Sequence, residues 1–129
     1  LGSAAYPGES GGFLQVSGLT YEIHTGVASS AEKDENGMFT RVSGEYRVKN
    51  VMVGGQPLEL DKTYTLASHN YMLLGHGDGY TMFDGCEVLG EDMMVDNQVL
   101  ITYITTTLGG VVGEQYANPY GDGRIVAVE

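Results

Sequence analysis

"GGFLQVSGLTYEIHTG", Gly11 to Gly26, is the stretch on which the fold turns. Leu14, Val16, Leu19, Tyr21 and Ile23 keep a rough alternation, the signature of a half-buried strand. The alternation slips out of phase at Ser17-Gly18, so a bulge or bend is expected there. Further along, "YRVKNVMV" (46–53) shows a second alternation. Tyr46, Val48, Val51 and Val53 are apolar, with Arg47 and Lys49 between them. "GGQPLELDK" (54–62) supplies the turn after it. Between these two strands, "ASSAEKDENGMFTRVSGE" (28–45) is polar and turn-rich and predicts an irregular hairpin or a long excursion.

The second half reads differently. "TYTLASHNYMLL" (63–74) is more apolar and is predicted as a central strand. "GEDMMVDNQVLITYITTTLGG" (90–110) is the best helix candidate, with Asp92 or Asp96 capping its start and Gly109-Gly110 closing it. Val95, Val99, Tyr103 and Thr106 recur on one side, although the β-branched run "TYITTT" has poor helix propensity. "GDGRIVAVE" (121–129) predicts a short closing strand. Strands in the majority with one clear helix make an α+β domain.

Composition narrows the function. A chain of 129 residues, 42% hydrophobic, suits a single domain over 1–129 with a real core. No run approaches the roughly 18 apolar residues that a membrane helix needs. The opening "LGSAAYPGES" shows no signal peptide and reads as a chain entered in mid-stream, the end of a helix running into a loop. The net charge of −11 argues against a nucleic-acid partner but not against a small nucleotide held by local groups. The single cysteine, Cys86, excludes an internal disulfide and a CxxC metal knuckle; between apolar neighbours it is expected to be a small buried hydrophobe.

Several local patterns invite a chemical reading. "EKDENG" (32–37) opens like a calcium loop, but the twelfth position is Ser43, not the bidentate Glu the ion needs, so a hairpin turn is the better reading. His69, His76 and Asp78 form the one close set with metal-ligand chemistry, without the spacing of a helical zinc site. His24 stands alone on a strand and is expected to face solvent. In "GHGDGYTMF" (75–83), the glycines suit a tight turn with positive φ. Phe13, Tyr71, Tyr80 and Phe83 suggest a second possibility: two rings could sandwich a flat heterocycle while a carboxylate accepts hydrogen bonds from sugar hydroxyls. The Tyr80-to-Phe83 run is expected to anchor the loop to the core.

The order of "GGFLQVSGL", "RVKNVMVGGQPLELDKTYTLASHNY", "GDGYTMF" and "NPYGDGRI" resembles the C-terminal, substrate-binding domain of the 5′-nucleotidase family. That family includes UDP-sugar hydrolases and 2′,3′-cyclic-nucleotide phosphodiesterases. The resemblance implies a mixed sheet with few helices and a domain lacking its N-terminal end. It further implies an upstream metallophosphoesterase domain that carries two divalent metals and the catalytic residues. The sequence contains neither a DxH nor a GNHD/E metal motif. The resemblance therefore implies a hydrolase part that holds a nucleoside or nucleotide, adenosine- or AMP-like or a UDP-sugar, and is inactive alone.

Carried over residue by residue, Phe13 stacks on one face of the base and Asp78, flanked by Gly77, holds the ribose. The second ring is assigned to Tyr71, seven residues before Asp78, although Met72, six before, can cover the face instead. Where the family commonly has Gly-Gly-Asp-Gly, this chain has His76-Gly77-Asp78-Gly79, and the resemblance gives His76 no role. Arg41 and Arg47 are expected to be exposed and do not replace the family's upstream arginines. The family is usually extracellular, cell-wall-attached or periplasmic. The competing reading is a non-catalytic surface module that binds carbohydrate or another ligand, since the same rings stack on sugars.

Overall fold

A strand that starts at Leu19 organises the first half of the chain in a computed structural model, which describes residues 12–129. The expected helix end in "LGSAAYPGES" lies outside the described residues. Strand β1 (Leu19–His24) lies between β4 (Val48–Val53), antiparallel to it, and β6 (Ile125–Val128), parallel to it. Strand β5 (Gln56–Pro57) extends β4 at the other edge, giving the order β5-β4-β1-β6. The fold is therefore α+β with a mixed sheet and few helices, as the pattern and the resemblance predicted.

The expected break at Ser17-Gly18 and a second irregularity, in β4, each have a backbone cause. At the first, Gly18 has φ +77° and its carbonyl accepts the Gly54 amide at 2.9 Å, so regular pairing begins only at Leu19. At the second, Thr20 pairs with Met52 but Glu22 pairs with Lys49, so β4 holds one extra residue. That residue bulges at Asn50, whose φ of 51° is left-handed, a conformation asparagine tolerates better than most side chains. The bulge brings Val48 and Val51, three apart in sequence, onto the same face. They pack with Phe13, Val16, Leu19 and Ile125 against the buried pair Tyr21 and Ile23. The Gly54-Gly55 turn, φ +57° and +78°, has the two left-handed residues a tight hairpin needs.

The polar excursion is a hairpin, β2 (Ala31–Lys33) against β3 (Phe39–Val42). Its turn uses the Asp34 carboxylate internally: the amides of Asn36 and Met38 each donate to Oδ1 at 2.9 Å. Arg41 is exposed and bonds Glu32 at 2.6 Å. Arg47 departs from expectation. It is 3% exposed, while the neighbouring Tyr46 points outward. The strand starts only at Val48, so the alternation that would have turned Arg47 outward does not extend to it.

Contacts divide the chain into two compact units, residues 1–66 with 122–129, and residues 67–121. The predicted central strand over 63–74 is absent. Residues 63–69 join no strand, and helix α1 (Asn70–Leu73) follows. Strand propensity acts only where a neighbouring strand offers its hydrogen bonds. The predicted helix is present as α2 (Asp96–Thr102), which widens into a π turn over Tyr103–Thr107. Val95, not Asp92 or Asp96, is the N-cap; Asp96 sits in the first turn, where its charge favours the helix dipole. The Thr105 hydroxyl donates to the Ile101 carbonyl at 2.8 Å, the competition with backbone bonding that a threonine-rich run invites. Gly109 and Gly110 close the segment at φ +65° and +84°, with the Gly110 amide on the Ile104 carbonyl at 2.8 Å. No helix among the described residues is long and apolar enough to cross a membrane.

Candidate functional site

Helix α1 sets the position of Tyr71 and Met72. Its last amides, Leu74 and Gly75, both bond the Asn70 carbonyl at 2.9 Å, so the chain turns sharply out of the helix. Met72 points into the unit and is buried; Tyr71 points out and is 56% exposed. Consecutive side chains on a helical turn point about 100° apart, so one can face inward while the next faces solvent. Tyr71 offers an open ring face, and Met72 packs inside.

The loop after α1 bends back beneath that ring. A Cβ placed on Gly77 falls 2.2 Å from Tyr71 Cε1, so only glycine lets the backbone pass this close. A Cβ added at Gly75 would lie 3.1 Å from the Tyr71 carbonyl oxygen, a milder confinement. These two glycines serve close approach rather than positive φ. The left-handed positions belong instead to His76 (φ 54°), Asp78 (φ 56°) and Gly79 (φ 82°). Holding non-glycine residues there costs about 1–2 kcal/mol each, so the surrounding contacts must enforce the shape. One such contact is Tyr80, 6% exposed; of the run expected to anchor the loop, Met82 is instead exposed.

Asp78 is half-buried, and among the described residues no group donates a hydrogen bond to its carboxylate. His76, by contrast, has a partner: Nε2 lies 2.6 Å from Oδ1 of Asp84. His69 faces a different acid, Asp96, at 4.0 Å. The histidines and Asp78 thus do not converge, and the described residues gather no set of three His, Cys, Asp or Glu able to hold a metal. Cys86, expected inside, is exposed, because it sits on the turn that follows Phe83 rather than on a buried strand.

Phe13 belongs to the first unit, where it is half-buried against the Tyr21–Ile23 cluster. His24 is half-buried too, bonded to Glu22 Oε2 at 2.9 Å rather than facing solvent. Asn50 donates to the same oxygen at 2.7 Å. Together the Asn50 amide, first, and His24, second, hold the Glu22 carboxyl below its ordinary value. The Asp84 partner of His76 was missed in the sequence; eight residues apart across glycines, the two had no spacing rule to connect them.

Residues 2–85 match the family model described as "5'-nucleotidase, C-terminal domain", and the match spans α1 and the whole Gly75–Phe83 loop. The protein UshA of Yersinia enterocolitica serotype O:8 / biotype 1B (strain NCTC 13174 / 8081) is 42% identical over 57 residues, which is 44% of this chain and 10% of that protein. The chain thus spans about a tenth of the length of that relative. No solved structure gives a significant match. With the motif order, the mixed sheet and the family match in agreement, the chain belongs to the 5′-nucleotidase C-terminal domain family.

Proposed function

We propose that this chain recognises the nucleoside of a nucleotide substrate for a 5′-nucleotidase-type phosphohydrolase. The observation that carries the reading is the half-buried Asp78 carboxylate, without a donor among the described residues, one position from the glycine on which the exposed Tyr71 ring rests. A carboxylate accepts hydrogen bonds from both hydroxyls of a ribose, and a ring face stacks on a base. Glycine at 77 lets the loop that carries Asp78 lie against the Tyr71 ring. The base contact that the resemblance implies for Phe13, in the first unit, is kept as a separate proposal. The contacts of Phe13 with the core of its own unit mean that it also contributes to stability, so it is tested by Phe13→Leu rather than by alanine.

Catalysis in this reading belongs to an upstream metallophosphoesterase domain, where metal ions activate the attacking water. Divalent metals have no candidate ligand set among the described residues here, and the isolated chain is expected not to hydrolyse AMP. A location outside the cytoplasm, in the periplasm, at the cell wall or secreted, is part of the same proposal. The test is an NMR titration with adenosine and AMP. Shifts at Tyr71 and Asp78 that vanish in Tyr71→Ala and Asp78→Asn support the reading. No shift at millimolar ligand, in a chain extended upstream to the full domain, overturns it. Shifts with free sugars but not with adenosine favour the carbohydrate-binding module instead.

A further inference from the structure

We propose that His76 and Asp84 are positioning residues: they clasp the two ends of the loop that carries Asp78, and so fix the direction of its carboxylate. This rests on the reading of Asp78 as the ribose contact. His76 Nε2 lies 2.6 Å from Asp84 Oδ1, and both side chains reach the solvent. The clasp joins the residue two before Asp78 to the residue six after it. Between them runs a chain of short backbone bonds. Gly79 donates to the His76 carbonyl at 2.9 Å, Tyr80 to Gly77 at 3.2 Å, Thr81 to Gly79 at 3.0 Å and Asp84 to Thr81 at 3.1 Å. The loop is thus pinned in the middle by buried Tyr80 and closed across its ends by a side-chain pair.

The residue at 76 is informative because its backbone is left-handed, where glycine is the unstrained choice. A histidine there makes the backbone less favourable, so what it adds must come from its side chain, and that side chain's partner is Asp84. An exposed side-chain pair of this kind contributes little to global stability. Its effect is therefore expected in the geometry of Asp78, whose own φ of 56° is equally dependent on its surroundings.

The test uses the full-length protein with AMP as the probe. His76→Gly removes the clasp while relaxing the backbone, and Asp84→Ala removes it from the other side. Asp84→Asn keeps an acceptor oxygen for the imidazole N–H. The expected result is a KM for AMP raised on the order of tenfold in His76→Gly and Asp84→Ala, with kcat changed little. The double variant should be no worse than either single one, Asp84→Asn should restore KM, and Tm should not fall in His76→Gly. Amide hydrogen exchange at Gly79 and Tyr80 should quicken in the two disrupting variants. Unchanged KM and unchanged exchange would overturn the clasp, as would a KM rise that tracks a fall in Tm. If the wild-type protein neither hydrolyses AMP nor binds adenosine, the nucleotide reading fails, while the exchange measurement still decides whether the clasp orders the loop.

Discussion

Gly77→Ala should uncouple nucleoside binding from stability. An added Cβ lies 2.2, 2.4 and 2.6 Å from Cε1, Cδ1 and Cζ of Tyr71. Ordinary contact begins at 3.4 Å, so the ring must withdraw by about 1.2 Å, the difference between 3.4 and 2.2. Because Tyr71 is 56% exposed, the ring can swing into solvent rather than push the backbone apart. That adjustment costs about 1 kcal/mol in rotamer energy. The backbone at Gly77 lies outside the left-handed region, so alanine adds no strain there. Binding should suffer more than folding. A base stacked on an aromatic ring contributes about 1–3 kcal/mol, so adenosine should bind roughly 5- to 150-fold more weakly. An adenosine titration followed at the Asp78 amide, beside a thermal melt of the same variant, reads both quantities. Tyr71→Ala should show the same loss, and Gly77→Ala combined with Tyr71→Ala should lose nothing further. Wild-type affinity in Gly77→Ala, or additive losses in the double variant, would refute the stacking role of Tyr71 and leave Gly77 as a packing glycine only.

Two further outcomes follow from the first unit. Ile23→Ala removes half of the buried pair at the centre of the sheet and should cost about 3 kcal/mol, seen as a lower urea midpoint with an unchanged slope; a loss below about 1 kcal/mol would mean that the cluster around Tyr21 is not the core. Glu22 has an ordinary value of 4.5 and is held below it in the folded protein by Asn50 and His24. Its contribution to stability is therefore present above about pH 4.5 and lost as the pH falls through the lower folded value. Glu22→Gln should flatten the acid side of the Tm-against-pH curve, but only in part, because Glu32, Glu45 and Asp122 are lowered in the same sense by Arg41, Lys49 and Arg124. Superimposable acid limbs would count against the Asn50–Glu22–His24 cluster.

The first unit was more legible in sequence than the second. Alternation marked β1 and β4 because a sheet face repeats every two residues, and its break at Ser17-Gly18 marked the bend there, whereas the bulge at Asn50 became visible only in the strand pairing. "TYTLASHNYMLL" misled for the complementary reason. Its residues favour strands, but that preference is realised only beside a partner strand, and the described residues offer it none. Arg47 and Cys86 were misplaced because burial is a property of neighbours. One lies just before β4 begins, and the other lies on the turn that follows Phe83.

Local chemistry along the chain singled out the glycine loop, the ring before it and the acid within it as a candidate site, and the order of motifs pointed to the family that residues 2–85 match. Those features depend on neighbours a few positions apart, which the covalent chain itself holds together. Which glycine makes room for the ring, which residues take the left-handed backbone, and that His76 closes the loop on Asp84 were decided only in three dimensions. Each depends on where a side chain points after the backbone has turned, and a turn of three or four residues can send it either way.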